Sequence, residues 1–415
     1  MNIVIKTLGC KANRYESDKI QSHFEDKHLV VDSTAATLKH ADIVVINTCT
    51  VTHVADRKSR QAIANMKRLY PDSIVIAFGC GVNVDQSGYK NLPNVNHAVK
   101  DTDELIKLIE KIAKDKKSKC DHSNMPQNRT RALIKIQDGC NNFCAYCIVP
   151  FARGREKSRP FYEVIEEINQ KVEKGYKEVV LTGINIGAYK NNNHDLADLI
   201  ELILRDTQIE RLRLSSIEPQ NFNNKFLDLL KDKRFCPHLH ISLQSGSDQT
   251  LKDMRRRYDT KMYFKMIKAL RNAVPEISIT TDIIVGFPGE TEGQFNETIN
   301  FVKKIGFSKI HIFPYSKRTG TAAARFPSQV PDKVKKERSR YLHKLEKQLR
   351  HDFYEQNLGK KAEILIEKID KDGFATGFTE NYLKTRVHSD LNVNQIIPVK
   401  LKDITEDIEI VGQTL

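Results

Sequence analysis

The sequence predicts an α/β protein built from an N-terminal doubly wound parallel sheet, a central partial (β/α)6 barrel and a small C-terminal β-barrel. Three observations carry that expectation. Short apolar runs alternate with amphipathic helical patterns over residues 1–115, the alternation resumes with six apolar runs between 130 and 317, and the tail breaks into short strands separated by turn residues. At 415 residues the chain is too long for one ordinary core, so two to three domains are expected.

In the first part, "NIVIKTL", "ADIVVINT" and "SIVIAFG" read as buried strands, each followed by a polar amphipathic segment such as "YESDKIQSHFED". A parallel sheet puts the carboxyl ends of its strands on one edge, where ligand sites gather. Cys10, Cys49 and Cys80 follow these three runs in turn. A lone cysteine at a strand end is usually a small apolar residue. Three in equivalent positions converge in space, and soft thiolates in a convergent set favour a metal site of the iron–sulfur kind.

Residues 116–129 lose apolar periodicity and gain Lys, Ser, Asn and Pro, which reads as a linker. Cys120 lies in it and is assigned no role. The expected second domain, 130–355, holds the strands "RALIKIQDG", "KEVVLTGINIG", "RLRLSSIE", "HLHISLQSG", "ISITTDIIVGFPG" and "KIHIFPYS", with helical patterns between them. Six βα units are two short of a full barrel, and the chemistry of such a fold lies on the loops at the strand C-termini. Residues 356–415 form the small barrel.

Lys and Arg number 67 against 53 Asp and Glu, a surplus of 67 − 53 = +14 that favours a polyanionic partner or a merely lysine-rich surface. Residues 361–415 hold seven basic against ten acidic side chains, so net charge does not make the tail an RNA-binding element. No apolar run approaches the ~20 residues of a membrane span, and the N-terminus lacks secretory features, so a cytoplasmic protein with no membrane partner is expected. Eight cysteines over this length are too few for a disulfide framework and suit metal ligation or catalysis instead.

The segment "DGCNNFCAYC" sets Cys140, Cys144 and Cys147 at spacings of four and three where the first barrel strand ends. A structural zinc site wants four ligands, and no His lies between Asp138 and Arg159 to supply the fourth. A four-iron cluster held by three cysteines instead leaves one iron open to a small-molecule ligand.

The C-x3-C-x2-C spacing, with Tyr146 before its last cysteine, resembles the radical S-adenosylmethionine superfamily. That resemblance implies that the open iron chelates the amino and carboxylate groups of S-adenosylmethionine, so that one electron cleaves the C–S bond and releases a 5′-deoxyadenosyl radical. It narrows to the methylthiotransferases over nearly the whole chain. "TLGCKANRYESD", "NTCTVTHVADRKSRQ" and "AFGC" look like their N-terminal domain, "DGCNNFCAYCIVPFARGREKSR", "LTGINIGAY", "HISLQSGSDQTLKDMRRRY" and "DIIVGFPGET" like their radical domain, and "GFTENYLKTRV" like their closing TRAM domain.

By that similarity Cys10, Cys49 and Cys80 hold a second four-iron cluster, also with a free iron, which presents sulfur. Thr182, Gly183 and Asn185 would then meet the methionine amino group, Ser215, Ser216, Glu218 and Gln244 the ribose or carboxylate, and Arg256 with Tyr258 would lie near the cofactor. Arg153, Glu156 and Arg159 follow the cysteine loop, where arginine can meet RNA phosphate or simply pair with Glu156. The fragments look most like the MtaB-type group, which implies addition of a methylthio group to C2 of N6-threonylcarbamoyladenosine at position 37 of tRNA. The partners implied are a tRNA anticodon stem-loop and an electron donor such as flavodoxin or ferredoxin. Alternatives are the same chemistry on isopentenyladenosine-37 or on an aspartate of a small-subunit ribosomal protein, and, outside this chemistry, a non-catalytic iron–sulfur RNA-binding protein.

Overall fold

The computed structural model describes residues 1–25, 27–33, 38–115, 130–388 and 391–415. The stretch expected as a linker, 116–129 with Cys120, lies outside the described residues. The chain divides into two compact units. One comprises Met1–Asn128, Asp138–Glu156 and Ser316–Ala324; the other comprises Arg129–Gln137, Lys157–Tyr315 and Arg325–Leu415.

The first unit is built on a parallel sheet ordered β2-β1-β3-β4-β5, with β1 Asn2–Thr7, β2 Leu29–Asp32, β3 Ile43–Thr48, β4 Ile74–Gly79 and β5 His97–Ala98. Strands β1, β3 and β4 stand where the apolar runs place them, side by side at the centre. Strands β2 and β5 are additions at the edges, too short or too polar to register in the sequence. Period-two alternation divides the buried side chains between the two faces. Ile3, Ile5, Ile43, Val45, Ile76 and Phe78 pack with Ile20 and Phe24 of α1 (Lys11–Phe24) and Leu105 and Ile109 of α5 (Thr102–Asp115). Val4, Val44, Ile46, Val75 and Ala77 pack with Ile63 and Met66 of α2 (His53–Leu69). The short helices α3 (Cys80–Val84) and α4 (Gln86–Lys90) follow β4, and α6 (Val149–Arg153) belongs to the cysteine loop.

The second unit opens with β6 (Arg131–Lys135). Strands β7 (Gln137–Asp138) and β8 (Lys157–Ser158) stand at the two ends of the cysteine loop. Strands β9 (Glu178–Thr182), β10 (Arg211–Leu214), β11 (Ser216–Ile217), β12 (His238–Ile241), β13 (Ser278–Val285) and β14 (Lys309–Pro314) continue a parallel series. The run "RLRLSSIE", which reads as one strand, is split at Ser215: β10 closes the sheet β10-β9-β6 and β11 opens the sheet β11-β12-β13-β14. A parallel bridge between Leu212 and Phe235 carries the hydrogen bonding across the break.

Helices α7 (Phe161–Glu173), α8 (Leu196–Asp206), α9 (Asn224–Leu229), α10 (Asp248–Asp253), α11 (Thr260–Ala273), α12 (Glu292–Ile305) and α13 (Asp332–Glu355) fill the connections. Reciprocal side-chain caps start α8 (Asp195, Asp198) and α12 (Thr291, Gln294), each satisfying two donors that a helix start leaves open. One face of the strands, including Ala132, Ile134, Val179, Leu181, Leu212, Ile279 and Ile283, packs with Val164, Ile200, Leu270 and Val302 of those helices. Strands β15 (Lys361–Ile369), β16 (Phe374–Thr379), β17 (Lys384–His388), β18 (Ile396–Ile404) and β19 (Ile410–Thr414) close into a barrel ordered β15-β16-β17-β19-β18.

The alternate positions on β6, β9, β10 and β12 carry Arg131, Glu178, Arg211, Arg213 and His238, a charged set for the inside of a fold. The terminal barrel satisfies it. Arg213, 2 % exposed at its side chain, donates to both Glu178 carboxylate oxygens at 2.7 and 3.1 Å and to the carbonyls of Thr379 and Glu380. Arg211 donates to the carbonyls of Phe378 and Glu363, and the Tyr382 ring stacks on His238 at 4.4 Å. Burial alone would raise the Glu178 carboxyl, but Arg213, Arg131 and Arg211 outweigh it and hold it below its ordinary value. Its pairing therefore stabilises the fold fully above the unfolded value of about 4.3, and that stabilisation is lost as pH falls through the lowered folded value.

Removing one partner of a buried pair strands the other charge, at a cost of about 3–5 kcal/mol. Arg213→Met is therefore expected to lower the urea unfolding midpoint clearly at pH 7, with the deficit shrinking as pH falls from about 4.3, where the unfolded state protonates, through the lowered folded value of Glu178. An unchanged midpoint at pH 7 overturns the assignment of Arg213 as the anchor of the terminal barrel.

Candidate functional site

All six cysteines of the two trios fall in the first unit. Because β1, β3 and β4 are neighbours and parallel, their ends share one sheet edge. Cys49 follows Thr48 of β3 directly, Cys80 follows Gly79 of β4, and Cys10 caps α1 three residues after the end of β1. Cys49 and Cys80 are buried and Cys10 is exposed. Burial pushes the Cys49 thiol up, with Cys10 adding to the shift, and pushes the Cys80 thiol up to about 11 against the pull of Arg153. Thiols so placed hold their protons until a metal replaces them.

Two asparagines tie this edge together. Asn13 donates to Asn47 Oδ1 at 2.7 Å and to the Thr48 carbonyl at 3.2 Å, and Asn47 donates back to the Asn13 carbonyl at 2.7 Å. The Cys10 thiol donates to Asn13 Oδ1 at 3.3 Å. The Ser59 hydroxyl accepts from the Cys49 backbone N–H at 3.0 Å, and the Thr48 hydroxyl donates to the Phe78 carbonyl at 2.7 Å while accepting from Gly81 N–H. Gly79 is required at the turn into Cys80: its φ is +93°, and a Cβ would lie 2.4 Å from Asn47 Oδ1.

The second trio is carried by the loop 138–156. The Cys140 N–H donates to the Gly154 carbonyl at 3.2 Å, and the Cys147 N–H donates to the Cys144 carbonyl at 3.0 Å. Phe143 takes a φ of +46°, the Arg155 guanidinium lies 4.6 Å over its ring, and Phe151 meets it edge-on. The Ala145 carbonyl accepts from Ala323 N–H at 2.8 Å. Cys144 is buried, while Cys140, Tyr146 and Cys147 are half-buried.

Arg153 does not pair with Glu156. It donates to Cys80 Sγ at 3.1 Å, Glu16 at 2.8 Å, Asp138 at 3.1 Å and Asn13 at 3.2 Å, with its side chain 5 % exposed. Burial alone would pull its guanidinium down, but Cys80, Glu16 and Asp138 outweigh it and hold the group well above its ordinary value. Arg159, in the other unit, pairs with Glu167 at 2.6 Å.

A tetrahedral zinc site at a Zn–S distance of about 2.3 Å needs its sulfurs about 3.8 Å apart. Among the described residues, the one set of three His, Cys, Asp or Glu whose ligand atoms all lie within 4.8 Å of one another is His351, Asp352 and Glu355, not either cysteine trio. All-sulfur donor sets are the kind that a multi-iron cluster takes.

In the second unit, the ends of β9, β10 and β11 gather the remaining expected residues. The buried oxygens Thr182 Oγ1, Asn185 Oδ1 and Ser215 Oγ have no hydrogen-bond partner among the described residues. Thr182 and Ser215 are successive positions past the Leu181–Leu214 pair of β9 and β10. Leaving such an atom unpaired costs about 1–3 kcal/mol, so three at neighbouring strand ends mark a cradle for a polar ligand. The Gln137 amide oxygen accepts from the N–H groups of Ile184 and Asn185 at 3.1 and 2.9 Å, and a Cβ on Gly183 would lie 2.7 Å from the Gln137 carbonyl.

Glu218 accepts from Arg256 at 2.8 Å, Gln220 at 2.6 Å and Asn185 at 3.5 Å; Arg256 in turn donates to the Tyr258 hydroxyl at 2.9 Å, which donates to the Ser242 carbonyl. Gln244, at φ +70°, is locked into β13 by its backbone, donating to the Asp282 carbonyl and accepting from Ile284 N–H. Ser216 is exposed and pairs with His240 of β12. The sequence reading missed Asn13, Asn47, Ser59 and Gln137. The only trace of the first two is their place three residues after Cys10 and two before Cys49.

Residues 134–302 match the model of the radical SAM superfamily, and residues 2–100 match the uncharacterized protein family UPF0004. The chain is 38% identical over 92% of its length to the threonylcarbamoyladenosine tRNA methylthiotransferase MtaB of Bacillus subtilis (strain 168), covering 89% of that protein. It is 35% identical to the Aquifex aeolicus protein of the same name, over 96% of this chain and all of that one (100%). It is also 35% identical to the tRNA-2-methylthio-N(6)-dimethylallyladenosine synthase of Thermodesulfovibrio yellowstonii, over 96% and 95% of the two chains. Among solved structures, the radical S-adenosylmethionine methyltransferase TsrM of Kitasatospora setae shares the fold at TM-score 0.57 and 15% identity, over 75% of this chain and 72% of that one.

Gly139 and Gly154 test how tightly the loop is set. Both have positive φ, +69° and +73°, but a Cβ at Gly139 would lie 2.0 Å from the Arg155 carbonyl, whereas nothing lies within 4 Å of one at Gly154. Gly154→Ala, at φ +73° and ψ −160°, is expected to cost about 1–3 kcal/mol of backbone strain, and Gly139→Ala clearly more because of the added clash, as read from urea midpoints. Equal costs would mean that the loop does not close as described.

Proposed function

The chain belongs to the radical S-adenosylmethionine tRNA methylthiotransferases, and we propose that it adds a methylthio group to C2 of N6-threonylcarbamoyladenosine at position 37 of tRNA. Membership brings a four-iron cluster and S-adenosylmethionine as cofactors and tRNA as substrate class. The finer assignments are ours. Cys140, Cys144 and Cys147 hold the cluster that activates the cofactor. Cys10, Cys49 and Cys80 hold a second. The observation that carries the division of labour is the convergence of this second trio on one sheet edge, in the same compact unit as the first.

When bound, the cluster and S-adenosylmethionine supply the carbon-centred radical that takes hydrogen from an unactivated C–H, and a second cofactor molecule supplies the methyl group. The chain's own share is placement and exclusion. Thr182, Asn185 and Ser215 offer unpaired buried oxygens to the polar groups of the nucleoside or the amino acid. Gly183 lets the β9 end approach closely, and Glu218, held by Arg256 and Tyr258, offers a carboxylate to hydroxyl groups. Gln244 and Ser216 complete the assigned set, with Tyr146 beside the first cluster. An electron donor such as flavodoxin or ferredoxin serves the reaction in the cytoplasm. No helix among the described residues is long and apolar enough to cross a membrane.

The threonylcarbamoyl substrate rests on the name borne by the Bacillus and Aquifex relatives. The Thermodesulfovibrio relative, named for dimethylallyladenosine at almost the same identity, is the observation that favours the second reading. Nucleoside mass spectrometry of tRNA from a deletion strain separates them: the 2-methylthio-threonylcarbamoyladenosine peak is expected to disappear and the dimethylallyl counterpart to persist, and the reverse rejects the proposed substrate. Cys144→Ala is expected to abolish release of 5′-deoxyadenosine from S-adenosylmethionine under anaerobic reduction. Cys49→Ala is expected to keep that release and lose methylthio transfer; a Cys49→Ala enzyme that still transfers contradicts the two-trio assignment.

A further inference from the structure

Arg153 is oriented in a way that a purely structural ion pair does not need. It ends α6, which starts two residues after Cys147, and the Asn83 amide of α3 anchors that helix by donating to the Ala152 carbonyl at 2.9 Å. One terminal nitrogen of the guanidinium is spent on Glu16 and Asp138, and the other on Asn13 and Glu16. Its Nε–H is aimed at neither carboxylate but at Cys80 Sγ, 3.1 Å away. Asp138 stands two residues before Cys140, and Glu16 and Asn13 lie on the helix that Cys10 caps. A single buried cation thus touches residues flanking both trios and donates directly to a sulfur of one.

We propose that Arg153 is a positioning residue of the N-terminal cluster, where its Nε–H bond to the Cys80 sulfur and its positive charge set the ease with which that cluster accepts an electron. The proposal rests on the reading that Cys10, Cys49 and Cys80 hold a cluster. Hydrogen bonds to ligand sulfur and the net charge around a cluster are the protein's main levers on its reduction potential, because both withdraw negative charge from the thiolate. Glu16 acts with the opposite sign. Its carboxylate accepts from the same guanidinium at 2.8 Å and so places a negative charge beside the donor to the Cys80 sulfur, which makes the pair a graded electrostatic setting rather than a neutral clamp. Both carboxylates sit within reach of one guanidinium, so Arg153 also holds the radical-cluster loop in register with α1.

The test uses the full chain carrying Cys140→Ala, Cys144→Ala and Cys147→Ala, reconstituted anaerobically with iron and sulfide and titrated with dithionite under EPR, so that only the N-terminal cluster is read. Arg153→Met is expected to lower the midpoint potential at unchanged iron content, Arg153→Lys to fall between Met and Arg, and Glu16→Gln to raise it. The opposite signs exclude a role that is only structural. Midpoints that do not move in iron-replete variants overturn the proposal and leave the cluster assignment standing. If Arg153→Met fails to hold iron, the Lys and Gln variants decide by the same criterion. A parent protein that binds no cluster overturns the cluster assignment, and the proposal falls with it.

Discussion

A parallel sheet delivers every strand of one polarity to the same edge, and this constraint organises both units of the protein. In the first unit it brings Cys10, Cys49 and Cys80 together from positions tens of residues apart, because β1, β3 and β4 are adjacent. In the second it aligns the ends of β9, β10 and β11, where Thr182, Ser215 and Glu218 stand. The break between β10 and β11 at Ser215 belongs to the same logic. A strand that must stop pairing with one neighbour and start pairing with another leaves a buried hydroxyl, Ser215 Oγ, without a partner among the described residues, where a ligand can use it.

Two buried guanidiniums then do different work with the same chemistry. Arg213 meets one carboxylate bidentately and two carbonyls, with each of its three nitrogens donating to protein oxygen, and it fastens the terminal barrel to the strands beneath it. Arg153 meets two carboxylates, an amide and a sulfur. Of the two guanidiniums, only this one sends a donor to sulfur rather than to oxygen.

The two kinds of polar burial also separate along the strands. At their N-terminal ends, Arg131, Glu178, Arg211, Arg213 and His238 are closed over by the turn 378–382 of the terminal barrel and find partners there. At their C-terminal ends, Thr182, Asn185 and Ser215 keep unpaired oxygens. The terminal barrel closes over one end of the strands while three unpaired oxygens stand at the other, as expected when one end serves packing and the other serves a ligand.

Much of this was legible in the linear chain because it depends on local regularity. Apolar runs marked the three central strands of the N-terminal sheet and the strand series of the second unit, and the cysteine spacing 140–144–147 is a local motif whose meaning needs no tertiary information. The edge strands β2 and β5 escaped because four and two residues carry too little periodicity to register. The partner of Arg153 escaped for a different reason. Glu156 is close in sequence, but Glu16, Asn13 and Cys80 are brought to it only by packing α6 on α3, and the polar pairs Asn13–Asn47 and Gln137–Asn185 likewise join segments far apart along the chain. The sequence by itself determined which residue types alternate, where strands end and which thiols are available. Tertiary structure alone decided which charges share a buried site, because the desolvation that makes such contacts matter exists only once the chain has closed around them.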